Sequence, residues 1–187
     1  MTAHLDTRVK IEKEAANLFN KKGFAATSMS DIAEAVGITK ASLYHFFKNK
    51  ESLYLSLIGQ VISEAQLILG RGRSEGIDHV DHLKQLLHDL MELASSKERL
   101  MRQPEMALMG TSPGECLLLV GEVSKLEKLM TEHLVVIGHE NPSLGTQIVF
   151  HSLFGYLKRR QFDKDSPPPN EFADYLISLF LPRENIN

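Results

Sequence analysis

Thr39, Lys40, Ala41, Ser42, Tyr44 and His45 lie close together in the chain. At helical spacing Leu43 and Phe46 would face inward, which leaves those six on the open side of one short helix. They offer hydroxyls, a cation, a small methyl and two aromatic donors, a set able to meet phosphates and base edges in the major groove of DNA. Lys50, at the start of the next helical stretch, could join its ammonium to the exposed amides of a helix N-terminus and grip one phosphate. A second set with chemical potential is His79, His82 and His88 beside Asp78, Asp81 and Asp89. The histidines at i and i+3 could share a face and bind a metal, but solvated helix surface is the preferred reading because no second cluster accompanies them. Cys116 is the only cysteine, which excludes an internal disulfide or a cysteine metal cluster. A lone thiol could sense oxidants, though inert packing is the more ordinary role.

The elements that would position the first set follow from local spacing. Ser28, three residues before Asp31, suits a capping box opening a helix that runs to about Val36. Met29, Ile32, Ala33 and Val36 then share one face. Gly37 suits the left-handed conformation that ends a helix tightly, Ile38 can tuck back toward the core, and Thr39 can cap the next helix. Ala33 is small enough to let that second helix approach. The result is a short helix, a glycine turn and a second helix, a helix-turn-helix.

Residues 24–54, with the glycine before them, closely resemble the DNA-binding domain of the TetR family of regulators. The pattern is carried by Gly23, Phe24, Thr27, Ser28, Met29, Ile32, Ala33, Gly37, Ile38, Leu43, Tyr44, Phe47, Lys50 and Leu53. Carried over position by position, the family's usual DNA contacts fall on Ser28, Met29, Thr39, Lys40, Ala41, Ser42, Tyr44, His45 and Lys50. The resemblance also implies a variable helical body that binds a small molecule, and a homodimer formed through the last two helices. These expectations describe a ligand-responsive regulator, a repressor released from double-stranded operator DNA by a small apolar molecule. The alternatives are a regulator of the same fold with no inducer, an enzyme, or a module that binds only proteins. No phosphate loop, nucleophile elbow or paired metal motif is present, so neither catalysis nor a cofactor is expected.

The rest of the 187 residues fits an all-α chain. Apolar residues recur at helical spacing, as in Ile11, Ala15, Leu18 and Phe19, and alternating strand patterns are scarce. Gly23, Gly37, the clusters at 70–76, 110–114 and 163–169, and the Asn141-Pro142 pair mark breaks and starts, and Pro104 suggests a further short helix, giving about nine helices. The expected division is a DNA-binding domain at 1–50 and a ligand-binding and dimerisation domain at 51–187. Charge agrees with it: the net −3 separates into +3 for residues 1–50, with eight Lys and Arg against five acids, and −6 for the remainder, with thirteen against nineteen. In the body, Met101, Met106, Met109, Leu118, Met130, Phe150 and Phe154 are candidates to line an apolar ligand cavity, with ordinary core as the alternative. The helices expected at about 142–159 and 170–181 carry apolar faces that include Ile148, Val149, Leu153 and Leu157, then Phe172, Tyr175, Leu176, Leu179 and Phe180. No apolar run approaches the roughly 20 residues that span a bilayer, and the first ten residues are too polar for a signal peptide, so a cytoplasmic protein without membrane contact is expected.

Overall fold

A computed structural model describes residues 2–98, 100–102, 112–160, 162–163 and 165–179. The apolar periodicity becomes helix throughout: α1 (Thr2–Lys22), α2 (Met29–Val36), α3 (Lys40–Phe46), α4 (Lys50–Leu69) and α5 (His79–Ser96), a 3-10 turn at Leu100–Arg102, then α6 (Pro113–Val136), α7 (Pro142–Arg160) and α8 (Pro169–Ser178). Among the described residues there is no strand, and eight α-helices stand where about nine were expected. The short helix expected after Pro104 lies outside them.

Local chemistry sets the helix ends. The last three helices each begin with proline, whose missing N–H is lost at no cost in a first turn. Asn141 caps α7, its Oδ1 accepting from the Leu144 amide at 3.1 Å. Ser112 and Glu115 form a capping box at the start of α6, with the Ser112 amide on Glu115 Oε2 at 3.0 Å and the Glu115 amide on Ser112 Oγ at 3.4 Å. The spacing that makes this box, Ser-x-x-Glu, is a helix-start signal that glycine and proline breaks alone do not reveal. At Gly145 a side chain would meet Leu134 Cδ1 at 2.9 Å, so glycine there permits α7 to lie close against α6.

The chain forms two compact units. One comprises Met1–Val61 with Lys97–Gly121, the other Ile62–Ser96 with Glu122–Asn187, and α4 and α6 contribute to both. In the first unit Ile11, Ala15, Ile32, Leu43 and Leu53 are fully buried. Phe19, Phe24 and Tyr54 meet there at ring separations of 4.8–5.6 Å in tilted and edge-on contacts. The Tyr54 hydroxyl donates to the Leu100 carbonyl, which ties the 3-10 turn into this unit. In the second unit α8 packs chiefly on α5, and the core joins Leu86, Leu87 and Met91 of α5 to Met130, Val149 and Ile177.

One expectation needs correction. By length and composition α4 is long and apolar enough to cross a membrane. Leu53, Tyr54, Leu57, Ile58, Ala65 and Leu69 are nevertheless buried within the protein, and serving two cores along one helix accounts for its hydropathy.

Candidate nucleic-acid interface

The start of α2 is built by two reciprocal hydrogen bonds. Ser28 Oγ accepts from the Asp31 amide at 3.1 Å, and Asp31 Oδ2 accepts from the Ser28 amide at 2.8 Å. The donation from Ser28 amide and hydroxyl holds the Asp31 carboxyl below the usual carboxylate range, with Lys22 adding a smaller push in the same direction. At the other end Gly37 has φ of 76°, and the Gly37 and Ile38 amides donate to Glu34 and Ala33 carbonyls at 3.1 and 3.0 Å. This pair of bonds closes a Schellman turn, with Ile38 half-buried behind it.

Thr39 then caps α3, its Oγ1 accepting from the Ser42 amide at 3.1 Å and lying 2.8 Å from Ser42 Oγ. Leu43 is fully buried, while Thr39, Lys40, Ala41, Tyr44 and His45 are exposed and Ser42 is half-buried. The inward aromatic differs from the expectation. Phe46 is only half-buried, and the core residue is Phe47. The reason is that α3 ends at Phe46 and Phe47 adopts an extended backbone, φ −138° and ψ 122°, so helical periodicity no longer governs where its ring goes.

Ser28, Met29, Lys40, Tyr44 and Lys50 come together around one shallow concavity of about 420 Å³, whose lining also includes Ser30, Asn49 and the acid Glu51. The Met29 side chain is buried, so what this position offers a ligand is its amide. First-turn amides have no acceptor within their own helix, and with a helix N-terminus behind them they suit an anion. Lys50 is more engaged than its sequence position suggests. Its Nζ donates to the Phe24 and Thr27 carbonyls, both at 2.8 Å, and sits 4.3 Å from the centre of the Phe24 ring. An ammonium has three N–H groups, so this bracing of the turn between α1 and α2 leaves one for another acceptor.

Sequence reasoning missed two residues of α1. Glu12 of α1 is 8% exposed and accepts from Ser56 Oγ and Gln60 Nε2 of α4, each at 2.8 Å. Arg8 Nε lies 3.3 Å from Glu12, and its guanidinium carbon is 4.5 Å from the centre of the Phe47 ring. The only signal was an Arg and a Glu four residues apart on one helix.

The candidates in the second unit are scattered. His82, read as solvated surface, is buried; its Nε2–H donates to the Arg71 carbonyl at 3.1 Å, and its ring lies 5.6 Å from that of His133. It is buried because the chain leaving α4 lies against α5. His88 contacts Asp174 of α8 at 2.8 Å and His79 is exposed. Among the described residues no three potential ligands surround a metal position. Met130 is fully buried in the core with Phe150 packed against it, whereas Phe154 is exposed. Met101 and Leu118 belong to the first unit, one half-buried and the other exposed, and Met106 and Met109 lie outside the described residues. On α7 and α8, Val149, Leu153, Leu157 and Leu176 are core, and Phe172 is partly buried with its ring stacked on Tyr156 at 4.2 Å. Ile148, Tyr175 and Leu179 are exposed, and Phe180 lies outside the described residues.

Residues 11–57 match the family described as bacterial regulatory proteins, tetR family. Across 91% of this chain and 95% of the relative, the sequence is 26% identical to the biofilm operon icaADBC HTH-type negative transcriptional regulator IcaR of Staphylococcus aureus. The TetR family transcriptional regulator PfmR from Thermus thermophilus has a similar structure, with a TM-score of 0.69 and 25% identity over 91% of this chain and 96% of that one. The fold is also that of FadR from Bacillus subtilis, solved in complex with stearoyl-CoA, with a TM-score of 0.74 and 14% identity over 92% of this chain and 97% of that one.

Proposed function

The chain belongs to the TetR family of bacterial regulatory proteins, DNA-binding transcriptional regulators and not enzymes, and on that premise we propose that it is a repressor released from its operator by a small apolar molecule. The observation that carries the reading is the shared surface of α2, α3 and Lys50: a cation, hydroxyls and an aromatic donor on the exposed side of α3, next to a capped helix N-terminus. Thr39, Lys40, Ala41, Ser42, Tyr44 and His45 meet the major groove, while Ser28, the Met29 amide and Lys50 take phosphate. Repression follows the relative IcaR, a negative regulator. Such a protein works in the cytoplasm, where the chromosome is.

The active form is a homodimer, because a helix-turn-helix reads a two-fold site with two copies. Its interface uses the apolar side chains that α7 and α8 leave exposed, Leu144, Ile148, Phe154, Tyr175 and Leu179. DNA binding is assigned to residues 1–50, and ligand binding and dimerisation to 51–187. An apolar guest enters the second unit beside Met130 and the partly buried Phe150, where a flexible methionine side chain adapts to it. The fold shared with FadR, which holds stearoyl-CoA, supports a guest that carries a long apolar chain.

Selection of bound sequences from random duplex DNA tests the reading. A recovered site with two-fold symmetry and half-sites about one helical turn or a multiple apart is the expected result. An asymmetric site, or none, would overturn it. Long-chain acyl-CoA added to the complex should lower operator affinity, and DNA should lower acyl-CoA affinity by the same factor. Operator affinity indifferent to apolar ligands would favour a regulator of this fold without an inducer.

A further inference from the structure

We propose that Arg8 and Glu12 of α1 are positioning residues for the recognition helix α3, linking its orientation to α4; the proposal rests on the DNA-binding reading above. Glu12 is a nearly buried carboxylate, which is costly unless every neighbour donates to it. Here the donors are Ser56 and Gln60 of α4, at 2.8 Å each, and Arg8 one turn earlier on α1 at 3.3 Å. Arg8 also reaches Ser56 Oγ from Nη2 at 3.4 Å and lays its guanidinium over the Phe47 ring at 4.5 Å. Phe47 is 4% exposed, and its amide donates to the Leu43 carbonyl at 3.1 Å, so it ends α3 directly. A continuous chain of contacts therefore runs from α4 through Glu12 and Arg8 to the last turn of α3.

Holding α1 against α4 does not require charge. A buried ion pair adds little net stability over apolar residues of similar volume. What directional bonds add is geometry: apolar faces can slide, whereas a carboxylate shared by three donors permits one rotation of α1 on α4. The recognition helix has only seven residues, so its orientation depends on its two ends and on Leu43. Thr39 holds one end, and the Arg8–Phe47 contact holds the other. Glu12 is acidic and buried, so any effect it has on base discrimination acts through the position of α3.

The test uses Glu12→Gln, which keeps the shape and removes the charge, and Arg8→Lys, which keeps the charge and loses the flat face over Phe47. Affinity is measured at several salt concentrations for the two-fold duplex selected by the wild-type protein and for a random duplex of equal length, alongside thermal melting. In both variants the ratio of the two affinities should fall about tenfold, the scale of one lost base-pair contact, while random-duplex affinity and its salt dependence hold. A lower melting temperature with an unchanged ratio would mean a purely structural role and overturn the proposal. Binding by both variants indistinguishable from wild type would overturn it, as would an equal loss of affinity on both duplexes, the mark of a phosphate contact by Arg8. If Glu12→Gln does not fold, Ser56→Ala removes one of the Glu12 donors and is read in the same way. A wild-type protein that selects no two-fold duplex would defeat the proposed function, and this inference with it.

Discussion

Replacing Lys50 with methionine keeps an unbranched stem of similar reach and removes the ammonium that bridges the Phe24 and Thr27 carbonyls. Two hydrogen bonds from a charged donor and one cation–π contact amount to about 4–7 kcal/mol at face value. Lys50 is half-exposed, so water replaces much of this for both the ammonium and the carbonyls, and a net loss of about 2 kcal/mol is expected. For a chain of this size that lowers the melting temperature by about 4–8 °C. Loosening the turn also displaces the first-turn amides of α2, so DNA affinity should fall alike on all sequences, since phosphate contacts carry no sequence information. The salt dependence separates two roles for the ammonium. Serving DNA alone, it would take about 0.9 from the slope of log affinity against log salt when removed. Serving chiefly as a brace, it should take less. Calorimetry and fluorescence anisotropy on the same variant measure both quantities. An unchanged melting temperature together with the full loss of slope would refute the bracing role.

Gly37→Ala places a side chain at φ 76° with open space around it, so the cost is backbone conformation alone, about 1–2 kcal/mol by thermal melting, and Gly37→Asn should cost less. The carboxyl of Asp31 is depressed on folding, so its contribution is present above its unfolded value and is lost as pH falls through the lower folded value. Acid titration of stability should therefore show wild type and Asp31→Asn converging as pH falls, and a gap independent of pH would contradict this. Phe154→Glu and Tyr175→Glu change exposed side chains and should leave the fold intact while shifting the protein to monomer and weakening operator binding, as read by sedimentation and anisotropy. Leu153→Glu, by contrast, should unfold the second unit, because Leu153 is core.

What the sequence determined was whatever depends on residues a few positions apart. The Ser28–Asp31 box, the left-handed Gly37, the Thr39 cap and the Asn141-Pro142 start are each set by interactions within one helical turn, so spacing alone located them. The exposed side of α3 was legible for the same reason, and with it most of the proposed DNA surface. Tertiary structure decided the rest. Lys50 finds its carbonyls 23 and 26 residues away, and Glu12 finds Ser56 and Gln60 at 44 and 48, separations at which no periodicity speaks. His82 looked like solvated surface until the chain leaving α4 covered it. Phe46 and Phe47 exchanged places because α3 stops between them. On α7 and α8 the sequence marks residues as apolar without saying which way they face, and the inner set became known only when α5 and α6 took their places against Val149, Leu153 and Leu176. Hydrophobicity is a property of a side chain, but burial depends on which helix arrives to cover it.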